Sequence, residues 1–337
     1  MKARVAHIIC LAVAFATLCL DAYAQAPQKK FIPSARNAES VVTPERLRSG
    51  VEFLSDTLLK GRGTGTRGAV EAAFWVERQF RTYGLVPFGN SYVRSFRASG
   101  GRVGHNVIGL LPGTGSKSSG KGYIIVGAHY DNIGVLGGNV YPGADSNASG
   151  VVSIIMLARM FQTMVALGRE YGKSVIFVAF DAKELSMGGS DAFAKMLDRG
   201  DLRDPRTGRS LGRGDIFMMV NIDQIGSSLS PLKSGRKDYM LMLCGRYGYL
   251  ASAMNACNSR IGLDLAYDYY GSRDFTKVFY ERINDQRAFL ERGIPSVMFT
   301  SGITMLNNKV SDDAGSLDYP VLGKRVVLIF NWLSRFV

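Results

Sequence analysis

Apolar runs of strand length with almost no polar alternation recur from residue 107 onward, at 107–111, 123–128, 174–180, 216–222, 239–243 and 296–300. A strand that is apolar at consecutive positions must be buried on both faces, which requires a sheet covered by helices on each side. Stretches of helical character separate several of these runs, at 150–166, 189–196, 249–261, 274–292 and 320–336. Strands alternating with helices imply right-handed crossovers and a mostly parallel central sheet, that is, a three-layer α/β/α sandwich. Two further helices are expected upstream. Thr43 and Pro44 supply a cap and a first-turn proline ahead of Leu47, Val51, Leu54 and Leu58, and a second helix over 68–83 stops at Gly84. With 337 residues, 46% hydrophobic and 20% charged, the chain is neither disordered nor fibrous, and one layered domain accommodates it.

The N-terminus reads as a leader. Lys2 and Arg4 precede an apolar run over residues 8–20, and Ala22-Tyr23-Ala24 is the small-x-small pattern of a signal-peptidase site. The expectation is a signal peptide over 1–24 and a single exported α/β domain over 25–337 with an N-terminal helical segment, periplasmic or extracellular. The apolar run is too short for a membrane span, and no later segment is expected to insert stably. In an oxidising compartment Cys244 and Cys257 could form a disulfide or stay as packed thiols; their spacing leaves both open. Formal charge is +13, but basic residues are scattered among acidic ones, as at Arg78, Arg81, Lys195 and Arg199, which reads as a solvated surface and not a nucleic-acid interface. The run over 113–122 is a surface loop by composition.

In open α/β sheets ligands bind beyond the carboxyl ends of the strands. Here those positions are uniformly polar. His129 and Asp131 follow the run at 123–128, Asp145 precedes the helix at 150, Asp181 to Glu184 follow the run at 174–180, and Asp223-Gln224 follow 216–222. Carboxylates gathered at one sheet edge repel one another unless a cation sits among them, and imidazole with oxygen donors suits zinc or a similar divalent ion.

The runs GAHYD, GADSNASGV, VIFVAFDAKELSMGGS, VNIDQIG and SDDAGSLDYP resemble, in order and spacing, the zinc aminopeptidases of metallopeptidase family 28, the co-catalytic zinc exopeptidases. The resemblance covers residue 105 to the C-terminus and implies that fold and the removal of N-terminal residues from peptides by metal-activated water. It implies His129 and Asp223 as ligands of one zinc, Asp145 as the carboxylate bridging two, Glu184 as a ligand of the second, and Asp131 as the carboxylate orienting His129.

Two positions depart from that pattern. Where the family has the glutamate that takes the water's proton, this chain has Lys183, and where it has its last histidine ligand, four residues before Asp312, counting gives Asn308. The histidine count agrees, because the chain has 3, at positions 7, 105 and 129. Asn284-Asp285-Gln286 stands where the family has Ser-Asp-His, a lesser departure. One zinc is therefore expected more than two, with none as the limiting case. An ammonium about 4 Å from a divalent ion, at an effective dielectric near 20, repels it by several kcal/mol, so Lys183 is expected to replace the second ion and to pair with Asp145 or Glu184. Three readings follow: an exopeptidase with altered activity, an inactive relative that binds peptides or another partner, and an aminoacyl cyclase of the glutaminyl-cyclase type, which meets the same objection at Lys183. Asn147-Ala148-Ser149 fits a glycosylation acceptor, and the aromatic cluster Tyr267, Tyr269, Tyr270, Phe275, Phe279 and Tyr280 fits either a specificity pocket or ordinary packing.

Overall fold

Strand residues divide between two apolar clusters, one on each face of a single sheet. On one face lie Ile124, Val126, Ala128, Val175, Phe177 and Ala179; on the other lie Tyr123, Ile125, Ile176, Val178 and Phe180. Successive side chains of a strand point to opposite faces, so burying both faces makes the run continuously apolar, as the sequence has it. This is a computed structural model describing residues 34–114 and 122–337; the leader expected over 1–24 and most of the loop over 113–122 lie outside the described residues.

The sheet has nine strands: β1 (Val86–Pro87), β2 (Val93–Arg97), β3 (Val103–Leu111), β4 (Tyr123–His129), β7 (Ser174–Phe180), β10 (Ile216–Ile222), β11 (Tyr239–Leu243), β12 (Asp264–Ala266) and β13 (Ser296–Thr300). Its order is β1-β3-β7-β4-β10-β13-β11-β12, with β2 also on β3. The central strands β7, β4, β10 and β13 run parallel, while β3 and β11 join antiparallel at the margins. Two hairpins, β5 (Gly134–Leu136) with β6 (Asn139–Tyr141) and β8 (Leu202–Arg203) with β9 (Ser210–Leu211), stand apart.

The helices are α1 (Ala35–Glu39), α2 (Pro44–Leu54), α3 (Arg67–Thr82), α4 (Ser149–Ala166), α5 (Gly188–Arg199), α6 (Gly248–Ile261), α7 (Arg273–Glu281), α8 (Arg287–Leu290) and α9 (Tyr319–Leu333). Thr43, Thr66 and Asp318 cap α2, α3 and α9 by accepting a first-turn N–H. The α4 segment, Ala144–Ala166, is long and apolar enough to cross a membrane, but 78% of its apolar window is buried inside this fold.

One expected helix, over 274–292, is two. Asn284 Nδ2 donates to Phe279 O at 2.7 Å and Gln286 Nε2 to Tyr280 O at 2.6 Å, so side chains take the carbonyls that continued helix would have used. The break brings Asp285 into the interior. The short strands β1 and β2 were not expected; they are only partly buried and carry no apolar run.

Phe161 joins three elements, with ring centroids 4.8 Å from Phe330, 5.1 Å from Tyr171 and 6.4 Å from Phe177. Phe161→Ala should cost about 3–5 kcal/mol, read as a lower urea midpoint with an unchanged slope.

Candidate functional site

At the end of β4 the His129 ring is fully buried, with Nδ1 3.0 Å from the Asp131 carbonyl oxygen and Nε2 3.4 Å from Asp223 Oδ1 at the end of β10. The Asp131 carboxylate accepts the backbone N–H groups of Lys183 and Glu184, each at 3.0 Å. That pin locks the loop after β7 against the loop after β4. It directs Lys183 into the cleft, where Nζ lies 3.0 Å from Glu184 Oε1. Of the partners expected for this ammonium, it takes Glu184.

Charge, not solvent, sets the protonation of these groups. Burial opposes an ammonium at Lys183, yet Asp223, Glu184 and Asp131 hold its pKa above the ordinary lysine value. Burial is the largest influence on His129 and opposes its cation, as does Lys183, but Asp223 and Asp131 together outweigh them and push the ring up to about 10. Asp223 stays below its ordinary value because Lys183 and His129 overcome the burial that would raise it. The cleft is therefore a charge cluster of ammonium, imidazolium and carboxylates.

The expected zinc ligands are not drawn into one tight cluster. Among the described residues, no group of three or more His, Cys, Asp or Glu side chains converges closely enough to hold a metal ion. Asp145 Oδ1 accepts the N–H groups of Gly226 at 2.8 Å and Ser227 at 3.2 Å, while its Oδ2 is buried without a hydrogen-bond partner. Burial and the nearby Asp312 carboxylate push Asp145 up to about 7. The next residue, Ser146, carries a buried hydroxyl without a partner. Glu184, expected on a second zinc, is taken by Lys183. Of the expected ligands, His129 Nε2, Asp145 Oδ2 and Asp223 Oδ1 are each buried without a hydrogen-bond partner, atoms that a cation would satisfy.

Asn308 is exposed with φ at 58°, and its half-buried neighbour Asn307 instead accepts from Gln224 Nε2. Asp312 accepts the N–H groups of Asp145 at 2.8 Å and Ser146 at 3.1 Å, a structural use. Asp181 is saturated by Thr64, Tyr130 and the N–H groups of His105 and Ala182. Asn147 is fully buried and bonded to Ile222 O and Gly150 N, so the folded protein does not present it for glycosylation. Cys244 and Cys257 are free thiols. Tyr269 packs on Tyr270, Phe275 and Phe279 at 4.6 to 4.9 Å, so the aromatic cluster is self-packed.

Sequence reasoning named Asp285 only within a departing segment. It is fully buried, neither carboxylate oxygen has a partner, and the nearby Ser190 hydroxyl donates to Met187 O instead. Burial pushes it up to about 6, with His129 opposing. Arg62 was missed altogether. Its buried guanidinium donates to the carbonyls of Tyr130 at 2.7 Å, Pro142 at 2.6 Å, Gly143 at 2.8 Å and Leu54, clamping the loops that flank the cleft.

A model of peptidase family M28 matches residues 106–331, more than half of the chain. The chain belongs to peptidase family M28. It is 25% identical over 190 residues to Aminopeptidase YwaD of Bacillus subtilis, a match covering 56% of this chain and 36% of that protein. The chain thus spans little more than a third of that relative's length. Among solved structures, BSAP, a zinc aminopeptidase from Bacillus subtilis, superposes with TM-score 0.66 at 13% identity, covering 91% of this chain and 96% of that one. The glutaminyl cyclase of Porphyromonas gingivalis superposes with TM-score 0.64 at 16% identity, covering 88% and 99%. Identities this low establish the shared α/β fold, which hosts both hydrolases and cyclases.

Arg62→Met removes the donors of buried carbonyls, each costing about 1–3 kcal/mol when left unpaired. We expect a loss of at least about 3 kcal/mol on this basis in urea titration, with the near-UV signal of the folded state weakened.

Proposed function

We propose that this M28 protein is an exported peptide-binding member of its family, in which the Lys183 ammonium, and not a pair of zinc ions, balances the carboxylates of the cleft. The carrying observation is the ammonium 3.0 Å from Glu184, held beside Asp223 at the position where the family pattern calls for a base. A protonated lysine cannot accept a proton from water, so hydrolysis by general-base activation has no base here. The buried carboxylate oxygens without hydrogen-bond partners, Asp145 Oδ2, Asp223 Oδ1 and both oxygens of Asp285, suit the ammonium end of a peptide or a comparable cation. Export rests on the leader-like N-terminus. Nucleic acid and the bilayer interior are not partners in this reading.

The buried, unpartnered His129 Nε2 and Asp223 Oδ1 favour a second reading, an aminopeptidase retaining one zinc. Metal content separates the two. Protein purified without chelators and dialysed against zinc should carry far less than one ion per chain and should turn over no aminoacyl anilide above a metal-free blank. Close to one zinc per chain, lost in His129→Ala and accompanied by turnover, overturns the proposal.

A complementary prediction follows from charge. Replacing the ammonium by a carboxylate removes a repulsion of about 8 kcal/mol against a divalent ion at 4 Å and an effective dielectric of 20. Lys183→Glu should therefore raise zinc content measurably over the parent in elemental analysis. No gain would show that Lys183 is not what excludes the ion.

A further inference from the structure

Strand β2 is an edge. It pairs only with β3, from Val93 opposite Val107 to Arg97 opposite Val103. Ile108 N donates to Tyr92 O and Ala98 N to Arg102 O, which sets the phase of the antiparallel ladder. In that phase the even-numbered residues bond to β3, while Ser95 and Arg97 turn their N–H and C=O groups away from it. Among the described residues nothing bonds to these outward groups.

A groove of about 840 Å³ runs beside this edge, between β2 and α5. Phe96, Arg97, Lys195 and Arg199 line it, and its inner end is formed by Leu185 and Ser186, the residues that follow Lys183 and Glu184. Its acidic residues are committed: Asp191 Oδ2 is 2.6 Å from Lys195 Nζ, and the other oxygen is 3.8 Å from Arg292. Arg199 lies 4.0 Å from Asp201. Arg97 is exposed and has no acidic partner among the described residues. A charged residue on an edge strand can serve simply to repel other strands, but such a guard needs no groove beside it.

We propose that β2 and this groove receive an extended acidic peptide, which adds to the sheet edge through Ser95 and Arg97 and lays its carboxylates against Arg97 and Lys195. This names the ligand class of the peptide-binding reading and rests on it. Strand addition supplies main-chain hydrogen bonds whatever the sequence, and the groove supplies the preference for acidic side chains.

The test uses fluorescent eight-residue peptides, one rich in Glu and one its Lys counterpart, titrated by anisotropy with the mature protein. The acidic peptide should bind at least tenfold tighter than the basic one, and more weakly as salt rises. Arg97→Glu with Lys195→Glu should weaken it at least tenfold. Ser95→Pro removes an outward N–H, a change edge strands tolerate, so it should block strand addition while leaving far-UV circular dichroism unchanged. Equal affinity for both peptides overturns the proposal, as does displacement of the acidic peptide by an oligothymidylate of similar length, which would assign the groove to nucleic acid. Acidic binding that survives the double charge reversal removes the groove but leaves the peptide-binding reading standing. Acidic binding lost in the charge reversal but kept in Ser95→Pro removes the strand pairing. No binding of either peptide by the parent protein removes both inferences.

Discussion

A sheet covered by helices on both faces leaves charge only one place to collect, the ends of its strands. In this protein the parallel strands β4, β7 and β10 bring His129, the loop carrying Lys183 and Glu184, and Asp223 to the same edge. Everything polar in the cleft follows from that geometry, because burial strips these groups of water and each must answer to its neighbours. The Asp131 carboxylate settles the arrangement by accepting two consecutive N–H groups from the β7 loop. A carboxylate so bonded is both satisfied and fixed, and it fixes which way residues 183 and 184 point.

Two buried guanidiniums do the equivalent work for the surrounding backbone. Arg62 gathers carbonyls from the loops at 130 and 142–143, and Arg325, on α9, gathers those of Tyr239, Ile225 and Ser227. Irregular loops near a strand end carry carbonyls that no ladder satisfies, and a planar cation with several donors can satisfy them together. Rigid loops around a cleft are what a recognition site requires, whether or not chemistry takes place there.

The layered fold was legible because burial of both strand faces writes itself directly into runs such as 123–128 and 174–180. The polar strand ends were legible for the same reason, since they interrupt those runs. The surroundings of Asp145 were not, because the turn before α4 has no periodicity and its bonds run to Gly226 and Ser227, distant in sequence. Counting back from Asp312 gave exposed Asn308, while its neighbour Asn307 is the amide that touches Gln224. Asp285 hid inside an apparent helix that Asn284 and Gln286 interrupt with their own side chains. Arg62 resembled any surface arginine, because burial of a guanidinium depends on carbonyls distant in sequence.

The persistence of the Asp131 pin bears on what the cleft is for. The pin acts on the backbone N–H groups of residues 183 and 184, so it holds position 183 whichever side chain stands there. Here it presents an ammonium where the family pattern has a carboxylate, and Glu184 and Asp223 balance it. Position 183 thus carries a charge opposite to the one the family pattern has there, on a backbone fixed by Asp131. Under the peptide-binding reading proposed above, an ammonium held in a defined place serves to position a charged ligand.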